Sequence, residues 1–153
     1  MTVTAYVAIG ANLGEARRSV EQAIEALDRL PRSRVTARSS LYRTAPFEAA
    51  GPDYINAVVA LDTGLEPLEL LAKLQAIEAQ AGRERPYRNA PRTLDLDLLS
   101  HGEQAIDTPT LTLPHPRMQQ RAFVLVPLAQ IAPGRVTPEQ LAAVASQAIE
   151  RLL

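Results

Sequence analysis

Apolar and polar positions alternate from Thr2 to Ile9, with Val3, Ala5, Val7 and Ile9 on one side, and then meet Gly10-Ala-Asn-Leu-Gly14. This reads as a strand running into a tight turn. From Glu15 the spacing becomes three and four, through Val20, Ala23, Ile24, Leu27 and Leu30, a helix that Pro31 ends. Val35 to Tyr42 and Tyr54 to Thr63 read as strands on either side of a loop, Arg43 to Asp53, that holds Pro46, Gly51 and Pro52. Pro67 opens a second helix with Leu70, Leu71, Leu74 and Ile77 as its stripe and Gly82 as its stop. Thr93 to Ser100 alternates again and predicts a strand.

Strand, helix, strand, strand, helix, strand is the order of an α+β, ferredoxin-like βαββαβ sandwich. Both helices then cover one face of an antiparallel sheet, and the other face is left for the C-terminal segment or a ligand. That added segment holds a short alternating run at Thr110 to Leu113, then Pro114-His115-Pro116, then an apolar stretch from Phe123 to Ile131. A last helix is predicted from Thr137 as cap, Pro138 at its first position and Gln140 completing a capping box, with Leu141, Val144, Ala148 and Leu152 as its stripe. No internal repeat or second domain is visible, so residues 1–153 are read as one domain, large enough to bury roughly 70% of its unfolded surface.

The chain has no cysteine, which removes disulfides, thiolate metal sites and cysteine nucleophiles. No run approaches the ~18 apolar residues of a membrane span, and Met-Thr-Val-Thr-Ala-Tyr is unlike a secretory leader, so a cytoplasmic, membrane-free protein is expected. A net charge of -1 argues against an obligate nucleic-acid coat protein.

Local charge is more informative. In the strand near Thr93, Asp95 and Asp97 share a face roughly 7 Å apart while Leu94, Leu96 and Leu98 face the core. Mid-strand aspartates are disfavoured and repel, so either a cation or neighbouring arginines must answer them, and oxygen ligands favour magnesium. Arg83, Arg85, Arg88 and Arg92 lie on the loop before this strand, in a chain whose only lysine is Lys73. Guanidinium groups grip phosphate oxygens in pairs, so clamp and metal site adjoin, although a salt-bridged surface loop or an RNA-binding edge uses the same residues. The chain lacks the Gly-x-x-x-x-Gly-Lys loop of common nucleotide sites, the Gly-x-Gly-x-x-Gly of dinucleotide sites and any acyl-transfer triad. Tyr54 and Asn56 share a strand face suited to a flat heteroaromatic ligand, or equally to plain exposure.

Taken together, Ala8-Ile-Gly-Ala-Asn-Leu-Gly14, Ser39-Ser-Leu-Tyr-Arg-Thr44, Tyr54-Ile-Asn56, Pro91-Arg-Thr-Leu-Asp-Leu-Asp97 and Pro114-His115 with Arg121 and Phe123 resemble the 6-hydroxymethyl-7,8-dihydropterin pyrophosphokinase family of folate biosynthesis. The resemblance runs from residue 2 to about 133. It implies transfer of pyrophosphate from ATP to the hydroxymethyl group of a reduced pterin with release of AMP; separately, a monomer that binds no nucleic acid is expected. It implies that Asp95 and Asp97 hold two Mg2+ ions, that Arg83 and Arg92 are catalytic arginines on the phosphates, and that Asp97 is placed to accept a proton. Asn56 meets the pterin edge, Tyr54 and Phe123 flank its ring, and Thr44 and Phe47 close the pocket. Gln75, Glu78, Arg85, Leu98, Thr112, His115 and Arg121 belong to the ATP side. Many relatives carry tryptophan and glycine where this chain has Asn89-Ala90.

Overall fold

The computed structural model describes residues 1–12, 15–45, 53–82 and 94–152. Strand β1 (Val3–Ala11) lies at the centre, hydrogen-bonded on one side to β5 (Asp95–His101) and on the other to β4 (Tyr54–Thr63), both antiparallel. Beyond β4 lie β2 (Ser33–Arg38) and β3 (Tyr42–Thr44), each paired with a different half of it. The last strand, β8 (Ile149–Arg151), adds to the outer side of β3. The result is a six-stranded sheet of order β5-β1-β4-β3-β8, with β2 also on β4.

The period of two sorts the side chains. Ala5, Val7 and Ile9 of β1, Ile55, Ala57, Val59 and Leu61 of β4, and Leu96 and Leu98 of β5 enter the main core. There they meet Val20, Ala23, Ile24 and Leu27 of α1 (Ala16–Asp28) and Leu70 and Leu74 of α2 (Pro67–Gly82). Ala8, Val58 and Leu99 point to the opposite face and meet Ala122, Val124, Leu125 and Leu128 of α3 (Ala122–Ile131). The sheet therefore separates two cores.

Several sequence expectations change. Gly10 is a strand residue opposite Asn56 and Asp95, not part of a tight turn; Gly14 lies outside the described residues. The strand expected over Val35 to Tyr42 is broken, because Ser39 pairs with Val58 through its side chain: Val58 N donates to Ser39 Oγ at 2.9 Å while Ser39 N donates to Val58 O at 2.9 Å. The chain resumes as β3 at Tyr42 and continues to Thr44, into the stretch expected to be loop. The apolar stretch Phe123 to Ile131 is helix in spite of Pro127. Of the run at Thr110 to Leu113, only β7 (Thr112–Leu113) is extended, paired with β6 (Ile106–Asp107).

The C-terminal helix is the largest correction. Thr137 and Gln140 form the expected capping box, with Gln140 N to Thr137 Oγ1 at 3.0 Å and Thr137 N to Gln140 Oε1 at 2.8 Å. Yet α4 (Pro138–Ala143) stops after six residues, and Ala148 is exposed rather than part of a buried stripe. The reason lies in the strand period: Ile149 and Leu152 fall on opposite sides of an extended chain, so Ile149 packs into the second core and Leu152 into the main one. A helix puts both on one side and reaches only one core.

Leu125, 1% exposed, holds α3 against the sheet. Leu125→Ala is expected to cost about 2–5 kcal/mol of unfolding free energy, read as a lowered urea midpoint with little change in slope.

Candidate active site

The polar groups singled out in the sequence collect on the α3 side of the sheet. Two cross-strand rows carry them. One runs Asp95, Gly10, Asn56, Tyr42, and the next runs Asp97, Ala8, Val58. Strands stand about 4.8 Å apart, so Gly10 alone separates the Asp95 row position from Asn56 by some 10 Å.

At the β4 end, Asn56 is buried and its Nδ2 donates to Thr44 Oγ1 at 2.7 Å. Thr44 is opposite Tyr54 in the β3–β4 pairing, so Thr44, Tyr54 and Asn56 form one cluster. A Cβ built on Gly10 comes to 3.0 Å from Asn56 Oδ1 and 3.8 Å from the Tyr54 ring. Glycine here keeps open the space beside the amide and the ring.

At the β5 end, Asp97 faces Arg121 NH1 at 3.9 Å and His115 Nε2 at 4.0 Å, with side-chain exposures of 41%, 28% and 21%. None of these is a direct hydrogen bond. The guanidinium of Arg121 also lies 5.4 Å from the Phe123 ring centroid, a cation–π contact that holds it on one side. His115 is anchored by its backbone N to Leu99 O at 2.9 Å, at the irregularity where β5 slips against β1. Its Nδ1 accepts from Arg117 N at 3.2 Å, so the neutral ring carries its proton on Nε2, toward Asp97. Burial lowers the His115 pKa from its ordinary value, against the pull of Asp97 and with the help of Arg121 and Arg117.

Glu78 of α2 acts on the same strand from its outer side. Its Oε2 accepts from Leu96 N at 2.8 Å, the peptide between the two aspartates, and so fixes the free edge of β5. Gln75 is exposed one turn earlier on that helix. The Leu98 side chain lies in the main core and Leu98 is paired with Val7 of β1, so its side chain does not join the cluster around Asp97. Thr112 sits half-buried on β7. Phe47, Arg83, Arg85 and Arg92 fall outside the described residues, as do Arg88, Asn89 and Ala90.

Three further residues shape this face without having been singled out as site residues. Gly10 was read as turn, although a glycine inside an alternating run is itself a signal of close approach. Gln130 of α3 accepts from Ser40 N (2.9 Å) and Tyr42 OH (2.8 Å), and so ties the helix to the start of β3. Gln147 touches the backbone on both sides of Arg121. Neither glutamine lies in a pattern that composition or periodicity reveals.

The model of the 7,8-dihydro-6-hydroxymethylpterin-pyrophosphokinase family matches residues 6–133, a span that contains every residue of both clusters. The chain belongs to this family. It is 52% identical to the 2-amino-4-hydroxy-6-hydroxymethyldihydropteridine pyrophosphokinase of Pseudomonas aeruginosa, over 96% of this chain and 95% of that protein. The protein of the same name from Haemophilus influenzae is 42% identical over 89% of this chain and 86% of its own length. Among solved structures, a Plasmodium falciparum HPPK-DHPS crystal structure with pterin and p-hydroxybenzoate superposes with a TM-score of 0.68 at 14% identity, covering 87% of this chain. Another HPPK-DHPS, in complex with substrates, gives 0.72 at 12% identity and covers 95%. This pyrophosphokinase-family chain spans only 40% and 43% of those two chains, and the likeness is one of fold.

Thr44→Val removes the acceptor of a buried amide. It is expected to cost about 1–3 kcal/mol by chemical denaturation, whereas Thr44→Ser, which keeps the hydroxyl, is expected to cost less than half as much.

Proposed function

We propose that this chain transfers the pyrophosphoryl group of ATP to the hydroxymethyl group of 6-hydroxymethyl-7,8-dihydropterin and releases AMP, the reaction of folate biosynthesis that its family membership implies. The observation that carries the assignment of the site is the shared sheet face: two aspartates on β5 at the ends of adjacent cross-strand rows, and an asparagine, a threonine and a tyrosine on β4 and β3 across Gly10. An amide that offers both a donor and an acceptor suits the edge of a pterin, with Tyr54 and Phe123 for its faces and Thr44 and Phe47 at its rim. The strand order, with α1 and α2 on one face, supports the ferredoxin-like reading, extended by α3, α4 and β8 as part of one domain.

In this reading the hydroxymethyl oxygen attacks the β-phosphorus, the bond from that phosphorus to the oxygen of the α-phosphate breaks, and AMP departs with that oxygen. Such transfer needs alignment and neutralisation of charge more than covalent help. Among the described residues Arg121 and His115 are donors beside Asp97, and both suit phosphate oxygens. Gln75, Glu78, Leu98 and Thr112 belong to the ATP side in this reading, and Arg83, Arg85 and Arg92, which fall outside the described residues, are assigned to the phosphates by family resemblance. Asp97 is the group placed to take the hydroxyl proton.

The donor set fits magnesium. Among the described residues no three His, Cys, Asp or Glu side chains gather into a cage. Magnesium does not need one, because it keeps several waters and takes one or two carboxylates together with substrate phosphates. Asp95 and Asp97 are the residues that would hold two such ions, which supply neutralisation of the phosphate charge when bound.

With ATP, magnesium and the reduced hydroxymethylpterin, the purified chain is expected to form AMP in step with pterin pyrophosphate. Formation of ADP, or no pterin-dependent nucleotide product, overturns the reading. Asp95→Ala and Asp97→Ala are each expected to lower turnover at least about a thousandfold with the fold retained, and unchanged turnover in both removes the metal assignment. Gly10→Ala is expected to lower kcat/KM for the pterin by about a hundredfold, since its methyl group displaces the Asn56 amide, and to leave the KM for ATP near that of the parent. An equal effect on both substrates refutes the pterin pocket at this row.

A further inference from the structure

The segment after α4 lies beyond the span that the family model matches, and it contains no residue assigned to the site. One of its side chains nevertheless reaches the site's backbone. Gln147, half-buried in the bend between α4 and β8, places its amide against both peptide groups that flank Arg121. Its Oε1 accepts from Ala122 N at 2.9 Å, and its Nε2 donates to Gln120 O at 2.8 Å.

Those two peptide planes define the backbone angles of Arg121, which is extended at φ -127° and ψ 113° immediately before α3 begins. The Ala122 N–H is the first orphan donor of α3, and the Arg121 side chain makes no capping bond. The acceptor it needs comes instead from 25 residues along the chain. Gln147 is itself held from both directions. Its N donates to the carbonyl of Val144, which is buried in the second core, and two residues later Ile149 pairs with Thr44 in the β3–β8 ladder. The brace is thus anchored in the core and in the sheet.

We infer that Gln147 is a positioning residue: by fixing the backbone of Arg121 it holds the guanidinium beside Asp97, aimed at the nucleotide phosphates. This rests on the assignment of Arg121 to the ATP side. The long Arg121 side chain multiplies any backbone rotation, so a small loosening at its Cα displaces the charged head by several times as much. The chemistry also specifies glutamine. The position requires one acceptor for Ala122 N–H and one donor for the Gln120 carbonyl, and a glutamate of the same length presents an oxygen to that carbonyl instead.

The test compares the full chain with Gln147→Ala, Gln147→Glu, Arg121→Ala and the double variant Arg121→Ala/Gln147→Ala in steady-state kinetics, with thermal melting as the check on folding. Gln147→Ala and Gln147→Glu are each expected to raise the KM for ATP about tenfold while the KM for the pterin stays within about twofold. In the Arg121→Ala background, Gln147→Ala is expected to add no more than about twofold, since the residue acts through Arg121. If Arg121→Ala weakens ATP and Gln147→Ala does not, or if the effect of Gln147→Ala persists in full without Arg121, the positioning role is overturned. An Arg121→Ala variant with parental KM for ATP refutes the assignment of Arg121 itself, a result distinct from either. Should Gln147→Ala fail to fold, Gln147→Glu, which keeps size and one hydrogen bond, carries the comparison.

Discussion

The pleat of three neighbouring strands decides where the chemistry sits. β1, β4 and β5 each turn one face into the core beneath α1 and α2, and a strand offers only two faces. Burying Leu96, Leu98, Ala57, Val59, Val7 and Ile9 therefore sends Asp97, Asn56 and Gly10 to the other side, aligned by the register of the ladders. Each of the larger apolar side chains contributes about 1.5–3 kcal/mol by burial, and a slip of one residue exchanges the faces. Carboxylates then enter the core, so the packing that stabilises the sheet also enforces the geometry of the site.

Electrostatics on that second face contributes little to stability. The Asp97–Arg121 pair is part-exposed and 3.9 Å apart, a geometry that contributes less than about 1 kcal/mol to folding. Burial lowers the His115 pKa in spite of the nearby carboxylate, and Arg121 and Arg117 act in the same direction. The neutral ring, with Nδ1 accepting from Arg117 N, presents its Nε2–H toward Asp97. Among the described residues the Arg121 guanidinium lies beside Asp97, on a side chain that Phe123 holds from its other side.

What could be read from the sequence follows from how local its cause is. The strands bearing Asp95, Asp97, Tyr54 and Asn56, and their division into faces, come from alternation within a few residues. The Thr137–Gln140 capping box is equally local and is present as expected. The break after Arg38 is invisible to periodicity because it comes from one serine hydroxyl bonded across the sheet to Val58. α3 is apolar on nearly every side and contains Pro127, so it shows no helical period. The early end of α4 answers to two cores on opposite sides of the sheet, a demand that no window of residues contains. Gln130 and Gln147 act over 90 and 25 residues respectively, through amides that look like any surface glutamine.

A sheet whose edge residues form a binding site must close those edges without covering the site, and here the two sides differ. On the β5 side Glu78 takes the outward N–H of Leu96, so the strand between the aspartates is held from beside the sheet rather than from their face. On the other side, β3 has only three residues, too few to stand alone as an edge. β8 pairs along all three of them, and Leu152 N extends the ladder to Leu41 O at 2.8 Å. The same tail that supports Thr44 through Ile149 carries Gln147 to the backbone around Arg121, so one short C-terminal segment braces both ends of the proposed substrate face.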